Sequence, residues 1–332
     1  MTRYRILLSA AALGLAGTAQ PALALDEITV AVSPEWPLPI EYARAQGLYD
    51  QALGVKVNWR SFDTGTAMIA AMASGDVQMA VSMAVPPVVT SVSAGQDVQI
   101  VDLAVTYSEN ENCVIRSELD ISAANIGDLA GKKVALPFGT VTHYSFLRQI
   151  EHFGLTSADM QVVDMAPADG AAALAQGAVD MACGWGGALL RMKESGEVLM
   201  SGKEKEDLGI QIVDFITAPG SFTDGHPELV EAFLKVTDQA NTAWTEGAEQ
   251  GEMLPMIARA AGMDEAAASD TMALFAFPTV EERLSERWLG GGVQAYMKGV
   301  ADVFVQTGNI PKALDSYDAF VNTGPLKAAA GE

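Results

Sequence analysis

The chain has 332 residues, 49% of them hydrophobic, which is enough to bury more than one ordinary core. With 20 Lys and Arg against 42 Asp and Glu, its formal charge is −22, and that excludes nucleic acid and anionic membrane as natural partners. A negative field does not gather anions, so any anion site on this chain has to be local.

Residues 1–24 read as a secretory signal: Arg3 and Arg5 make the charged start, Ile6 to Ala16 the apolar run, and Ala22-Leu23-Ala24 the cleavage site. The apolar run is too short to span a bilayer. Removing the signal takes away two arginines and no acid, and it places the mature chain outside the cytoplasm, in the periplasm. Glu27 to Val32 alternates as a first strand and is followed by a loop, Ser33 to Pro39, with three prolines around Glu35 and Trp36. A helix at Tyr42 to Tyr49, a strand at Val55 to Phe62, a helix at Thr66 to Ser74 and a strand at Val77 to Ser82 come next. Pro86 and Pro87 open a helix that Gly95 ends, and Gln99 to Thr106 is a strand.

From Tyr107 the pattern restarts, with strands at Cys113 to Arg116 and Met160 to Met165, a helix at Gly170 to Gln176, a strand at Val179 to Gly184 and a long strand at Ile210 to Thr217. Beyond it the chain is almost wholly helical. Leu229, Val230, Phe233, Val236, Ala240 and Trp244 lie at helical spacing, Thr279 and Glu282 form a capping-box pattern, and Val293 to Thr307 is amphipathic. Cys113 and Cys183 are the only cysteines; they pair or remain as two buried thiols, and their spacing fits no zinc motif.

The most informative stretch is Val134 to Phe146, VALPFGTVTHYSF: a short apolar run, a break at Pro137, Gly139 and Thr140, then a helix-compatible segment. The first N–H groups of a helix lack partners and sit at the positive end of its dipole, so such a loop holds an anion without Arg or Lys. Thr140, Thr142, His143 and Tyr144 are its candidate ligands. Thr140 or Thr142 reads equally as an ordinary N-cap.

The segment Met68 to Ala80 also superposes on Gly170 to Ala182 with a constant shift, aligning Ala70 with Ala172, Gly75 with Gly177 and Met79 with Met181. A helix, a glycine stop and a strand repeated in this way point to two similar α/β lobes, each with a mostly parallel sheet. In such sheets ligands lie beyond the carboxyl ends of the strands. Ser33 to Trp36, Ser82 to Val85, Pro137 to Thr142 and Gly184 to Gly187 lie there.

Four segments, NWRSFDTG at Asn58 to Gly65, AMASGDVQ at Ala71 to Gln78, DLAGKKVALPFGTVTHYS at Asp128 to Ser145 and HPELVEAFLKVT at His226 to Thr237, carry a family resemblance. The chain resembles the periplasmic binding proteins of taurine and alkanesulfonate ABC importers, of the type II binding-protein group. The resemblance covers nearly all of Glu27 to Thr323. It implies two lobes, 25–106 plus 215–332 and 107–214, that close over a ligand about hinges near Thr106-Tyr107 and Phe215-Ile216. It also implies delivery to an ABC permease by a monomer that uses no cofactor. Two departures bear on the ligand. The serine pair that helps hold a sulfonate reads Val85-Pro86 here, and the family's Trp-Asp-Pro reads Trp185-Gly186-Gly187.

The candidate ligand residues are therefore Ser82 and the loop set Thr140, Thr142, His143 and Tyr144. An aromatic wall of Trp36, Tyr107, Tyr144 and Trp185 is suited to cations, and Glu35, Glu109 and Glu111 offer counter-charge. Each of these glutamates also reads as solvated surface, and one or two of the aromatics as core. Together they point to a small zwitterion: a taurine-like amino sulfonate, or a betaine, quaternary-ammonium or guanidino compound. An enzyme on the same fold, as in pyrimidine-precursor synthases, is disfavoured. His143, His152 and His226 form no metal spacing, and no nucleophile elbow or phosphate loop is present.

Overall fold

The computed structural model describes residues 25–331; the signal segment read from the sequence lies outside the described residues. The first part of the chain alternates strand and helix: β1 (Glu27–Val32), α1 (Ile40–Ala45), α2 (Leu48–Leu53), β2 (Lys56–Ser61), α3 (Gly65–Ala73), β3 (Met79–Ala84), α4 (Val85–Ser93) and β4 (Gln99–Thr106). The helix expected over Tyr42 to Tyr49 is two short helices, because Gly47 is left-handed at φ +68° and breaks the run. Pro86 and Pro87 do stand in the first turn of α4.

The middle part holds β5 (Glu111–Arg116), β6 (Lys133–Leu136), α5 (Val141–His152), β7 (Gln161–Asp164), α6 (Pro167–Ala175), β8 (Met181–Trp185), α7 (Gly186–Lys193), β9 (Gly196–Val198) and α8 (Gly202–Asp207). Strand β10 (Val213–Ala218) follows, and then only helices: α9 (Gly220–Gly225), α10 (Pro227–Glu246), α11 (Gln250–Ala261), α12 (Glu265–Met272), α13 (Val280–Leu284), α14 (Gly292–Gln306) and α15 (Gly324–Ala330). The capping box expected at α13 is present, with the Thr279 side chain and Glu282 exchanging hydrogen bonds with each other's backbone N–H.

The strands make two five-stranded sheets, ordered β2-β1-β3-β10-β4 and β7-β6-β8-β5-β9. The molecule is two-lobed α/β, as the sequence repeat implied: α3 and β3 in one lobe correspond to α6 and β8 in the other. Each sheet is mostly parallel, as expected, with one strand running against the other four. β1 pairs parallel with β2 and β3, and β6 with β7 and β8; β10 runs antiparallel to β3 and β4, and β5 antiparallel to β8 and β9. The reason lies in the connections. β5 and β10 are the strands by which the chain enters a sheet after crossing from the other one, and each slots between two strands that run the opposite way.

The two crossing segments lie side by side, the Tyr107 N–H donating to the Ile212 carbonyl at 3.1 Å. The return is complete by Val213, which pairs with Thr106, so Val213 and Asp214 are residues of the first sheet. Helix α8 braces the outward crossing: the buried Lys205 ammonium donates to the Glu111 carboxylate at 3.0 Å. Arg283 ties α13 to β4 and α10 through Asp102 and Asp238. Cys113 and Cys183 face each other across β5 and β8 and form a disulfide.

Candidate functional site

The loop from β6 to α5 is fixed by its own side chains. Gly139 is left-handed at φ +72°, the conformation that glycine adopts without Cβ penalty. Thr140 is the N-cap of α5: its hydroxyl accepts from the His143 N–H at 3.3 Å and donates to the Pro137 carbonyl at 2.7 Å. His143 Nδ1 accepts the Gly139 N–H at 3.1 Å, and its ring stacks on Phe138 at 4.9 Å. Burial pushes the His143 imidazole down to about 4, so it is neutral at physiological pH. The N–H groups of Val141 and Thr142 open the helix with no intrahelical acceptor available to them.

That helix start faces a cavity between the lobes, lined by Ser33, Gly65, Ser82, Ala84, Pro87, Tyr107, Thr140, Val141, Trp185 and Asp214. The cavity measures ≈ 20 Å³, space for about one water; a ligand of several heavy atoms is admitted only when the walls part. Among the described residues, no lysine or arginine lines it, and Asp214 is the sole acid. Asp214 sits on β10 opposite Ala84 of β3 and Val105 of β4, next to an irregularity in the β4 pairing, the kind of local shift that re-aims a side chain. It is 4% exposed. One carboxylate oxygen accepts the Tyr107 hydroxyl at 2.6 Å. Burial pushes its carboxyl up to about 7, against the Tyr107 hydrogen bond that lowers it. Ser82 holds the unusual φ of +70° within β3, two residues before its end, a strain typical of positions that serve a site.

The lining thus brings together two chemically opposite groups. One is the positive start of α5 with the Thr140 hydroxyl. The other is a carboxylate with a phenol beside it. Residues 38–249 match a family described as NMT1/THI5 like. The chain belongs to that family. Among its relatives, it is 26% identical over 289 residues to the taurine-binding periplasmic protein of Escherichia coli (strain K12), covering 86% of this chain and 88% of that one. It is 24% identical over 264 residues to a putative aliphatic sulfonates-binding protein of the same organism, 78% of this chain and 77% of that one. In structure it is similar to the periplasmic aliphatic sulphonate binding protein SsuA from Escherichia coli, with a TM-score of 0.70 at 21% identity over 88% of this chain and 96% of that one. The alkanesulfonate-binding protein SsuA from Xanthomonas axonopodis pv. citri, bound to MOPS, gives 0.71 at 20% identity over the same shares.

In this NMT1/THI5-like chain, Ser82, Tyr107, Thr140 and Trp185 of the sequence candidates line the cavity. The others stand elsewhere. Trp36 is core, 2% exposed and packed on Tyr107 and Phe275 at 4.8 and 4.7 Å between ring centroids. Glu111 is held by Lys205. Glu109 packs against Gly202 at the start of α8. Thr142 is buried with an unpartnered hydroxyl, and Tyr144 packs edge-on to Tyr296 of α14. His143 orients the loop from behind the cavity. Glu35 lines an outer groove and pairs with Arg191. The candidates of the sequence did not include Asp214, although a lone acid inside the apolar strand Ile210 to Thr217 was its visible signal. Ser33 and Val141 also line the cavity, the first a hydroxyl, the second through the start of α5.

Proposed function

We propose that the chain is an exported solute-binding receptor of an ABC importer, a monomer whose two lobes close over a small zwitterionic sulfonate of the taurine type. The observation that carries this reading is the pairing of the α5 start with Asp214 across one small cavity. The sulfonate takes the N–H groups at Val141 and Thr142, while the Thr140 hydroxyl, committed to the Pro137 carbonyl, fixes the loop that presents them, an arrangement that binds anions without a cationic side chain. The ammonium takes the Asp214 carboxylate oxygen not used by Tyr107, with the Trp185 and Tyr107 rings beside it. Asp214 thereby supplies the counter-charge that the Trp185-Gly186-Gly187 sequence lacks, and Ser82 and Ser33 supply hydroxyls in place of the missing serine pair.

The names of the relatives support the anion half, and the signal segment supports a periplasmic setting. Closure moves the second lobe, which ends at the return crossing before Val213, about the two adjacent crossings near Tyr107 and Ile212, and the closed form is what the permease reads. His143 is neutral, stacked and hydrogen-bonded to its own loop, which suits a positioning role and not that of a base. Calorimetric titration of refolded, ligand-free protein with taurine, hypotaurine, an amine-free alkanesulfonate, glycine betaine and a guanidino acid tests the reading. The amino sulfonates are expected to bind tightest. Preference for the betaine or guanidino compound moves the specificity to the cation, and no binding across the set removes the zwitterion.

A further inference from the structure

Outside the cavity, at the mouth of the cleft, an ion pair joins the lobes. Arg191 of α7 donates two parallel hydrogen bonds to the Glu35 carboxylate, both at 2.9 Å. Glu35 belongs to the loop after β1, so the pair runs from the first lobe to the second. Both partners are prepared for it. Glu35 holds a left-handed φ of +52° and donates its N–H to the Ala261 carbonyl at 3.1 Å, which anchors it to the end of α11. On the other side, the start of α7 is Gly186-Gly187. A Cβ at Gly186 would meet the Glu35 carbonyl at 2.8 Å, and one at Gly187 the Glu35 carboxylate at 2.9 Å. Side chains there would hold the lobes apart, and the two glycines let the loop seat directly on the helix end. A planar guanidinium fork on a carboxylate fixes orientation as well as distance.

We propose that Glu35 and Arg191 form a latch that holds the two lobes closed independently of the ligand. Neither residue lines the inner cavity. Their contribution is to the closed state itself, so they set the residence time of whatever is bound and not the choice of ligand. The same seat gives Gly186-Gly187 a reason that ligand contact does not. The pair is about two-fifths exposed, so it responds to salt. A pair of this kind changes the closed-to-open ratio by about two- to fivefold.

The first measurement needs no ligand, so its outcome is separate from that of the ligand assignment. Nitroxides at Asp76→Cys and Gln161→Cys, exposed positions in the two lobes, report the interlobe distance distribution by double electron–electron resonance. Glu35→Gln and Arg191→Gln are each expected to shift the ligand-free protein two- to fivefold toward the open distance. The double variant should go no further than either single one, and the charge swap Glu35→Arg with Arg191→Glu should recover much of the closed fraction. High salt should move the wild type alone. In stopped-flow release, the single variants should speed dissociation by one common factor for amino sulfonates and amine-free sulfonates alike. Identical distance distributions in all variants at low salt overturn the latch. So does a loss confined to amine-bearing ligands, which would make Glu35 a ligand contact.

Discussion

Replacing Asp214 by Asn keeps the shape and the bond from Tyr107 but removes the acid that lines the cavity. A hydrogen bond to a charged group contributes about 1.5–3 kcal/mol, so an amino sulfonate should bind Asp214→Asn about 10- to 150-fold more weakly at pH 8. An alkanesulfonate of the same length without the amine should bind both forms alike. The pH dependence follows from the same carboxyl. In the ligand-free folded chain it is raised to about 7 from 3.8. Between those values the folded state holds a proton that the unfolded chain has released. Its stabilising contribution is therefore full below about pH 4 and lost as the pH rises to about 7, by on the order of 4 kcal/mol. An ammonium binds the ionised form, so wild-type affinity should rise up to about pH 7 and then level off, with proton release on binding below that point. Asp214→Asn should show a flat profile and, above pH 7, a higher melting temperature than the wild type. Calorimetry in buffers of different ionisation enthalpy, with thermal melts at pH 5 and 8, gives all three readouts. Unchanged affinity for the amino sulfonate in Asp214→Asn rules out Asp214 as the ammonium's partner, and so does an equal loss for both ligands.

Ser82→Gly should relieve the φ of +70° and raise stability by about 1 kcal/mol, read by chemical denaturation, while the lost hydroxyl weakens sulfonate binding severalfold. Replacing Cys113 and Cys183 by Ser opens a 70-residue loop and should cost about 4 kcal/mol on the chain-entropy model, seen as a matching fall in melting temperature that reductant reproduces in the wild type. His143, lowered to about 4 from 6.5, should stay neutral by imidazole NMR throughout the pH range of the binding assays. Its contribution is present above about pH 6.5 and lost as the pH falls toward 4, by on the order of 3 kcal/mol. His143→Ala should remove that acid-limb slope.

Local signals were legible in the sequence. Thr140 and Thr279 cap their helices because capping depends on a few adjacent residues, and the shifted repeat located α3-β3 and α6-β8 because it registers a whole unit. What escaped depends on distant chain. The antiparallel entry of β5 and β10 follows from two crossings that no local pattern encodes. Trp36 looked like a wall residue among its prolines, and it is core because Phe275, far along the chain, packs on it. Residues 140, 142, 143 and 144 were grouped as one anchor, yet successive residues of a helix point about 100° apart, so they cannot all face one cavity. Asp214 and Asp102 look alike as single acids in apolar strands. One meets Arg283 and the other lines the cleft, and only the sheet order separates them.

The proposed site is polar, with sulfonate toward α5 and cation toward Asp214. The most direct measurement is a crystal structure of the taurine complex. Sulfonate oxygens are expected on the Val141 and Thr142 N–H groups and the ammonium on the free oxygen of Asp214. A ligand lying the other way round, or seated outside this cavity, contradicts that placement.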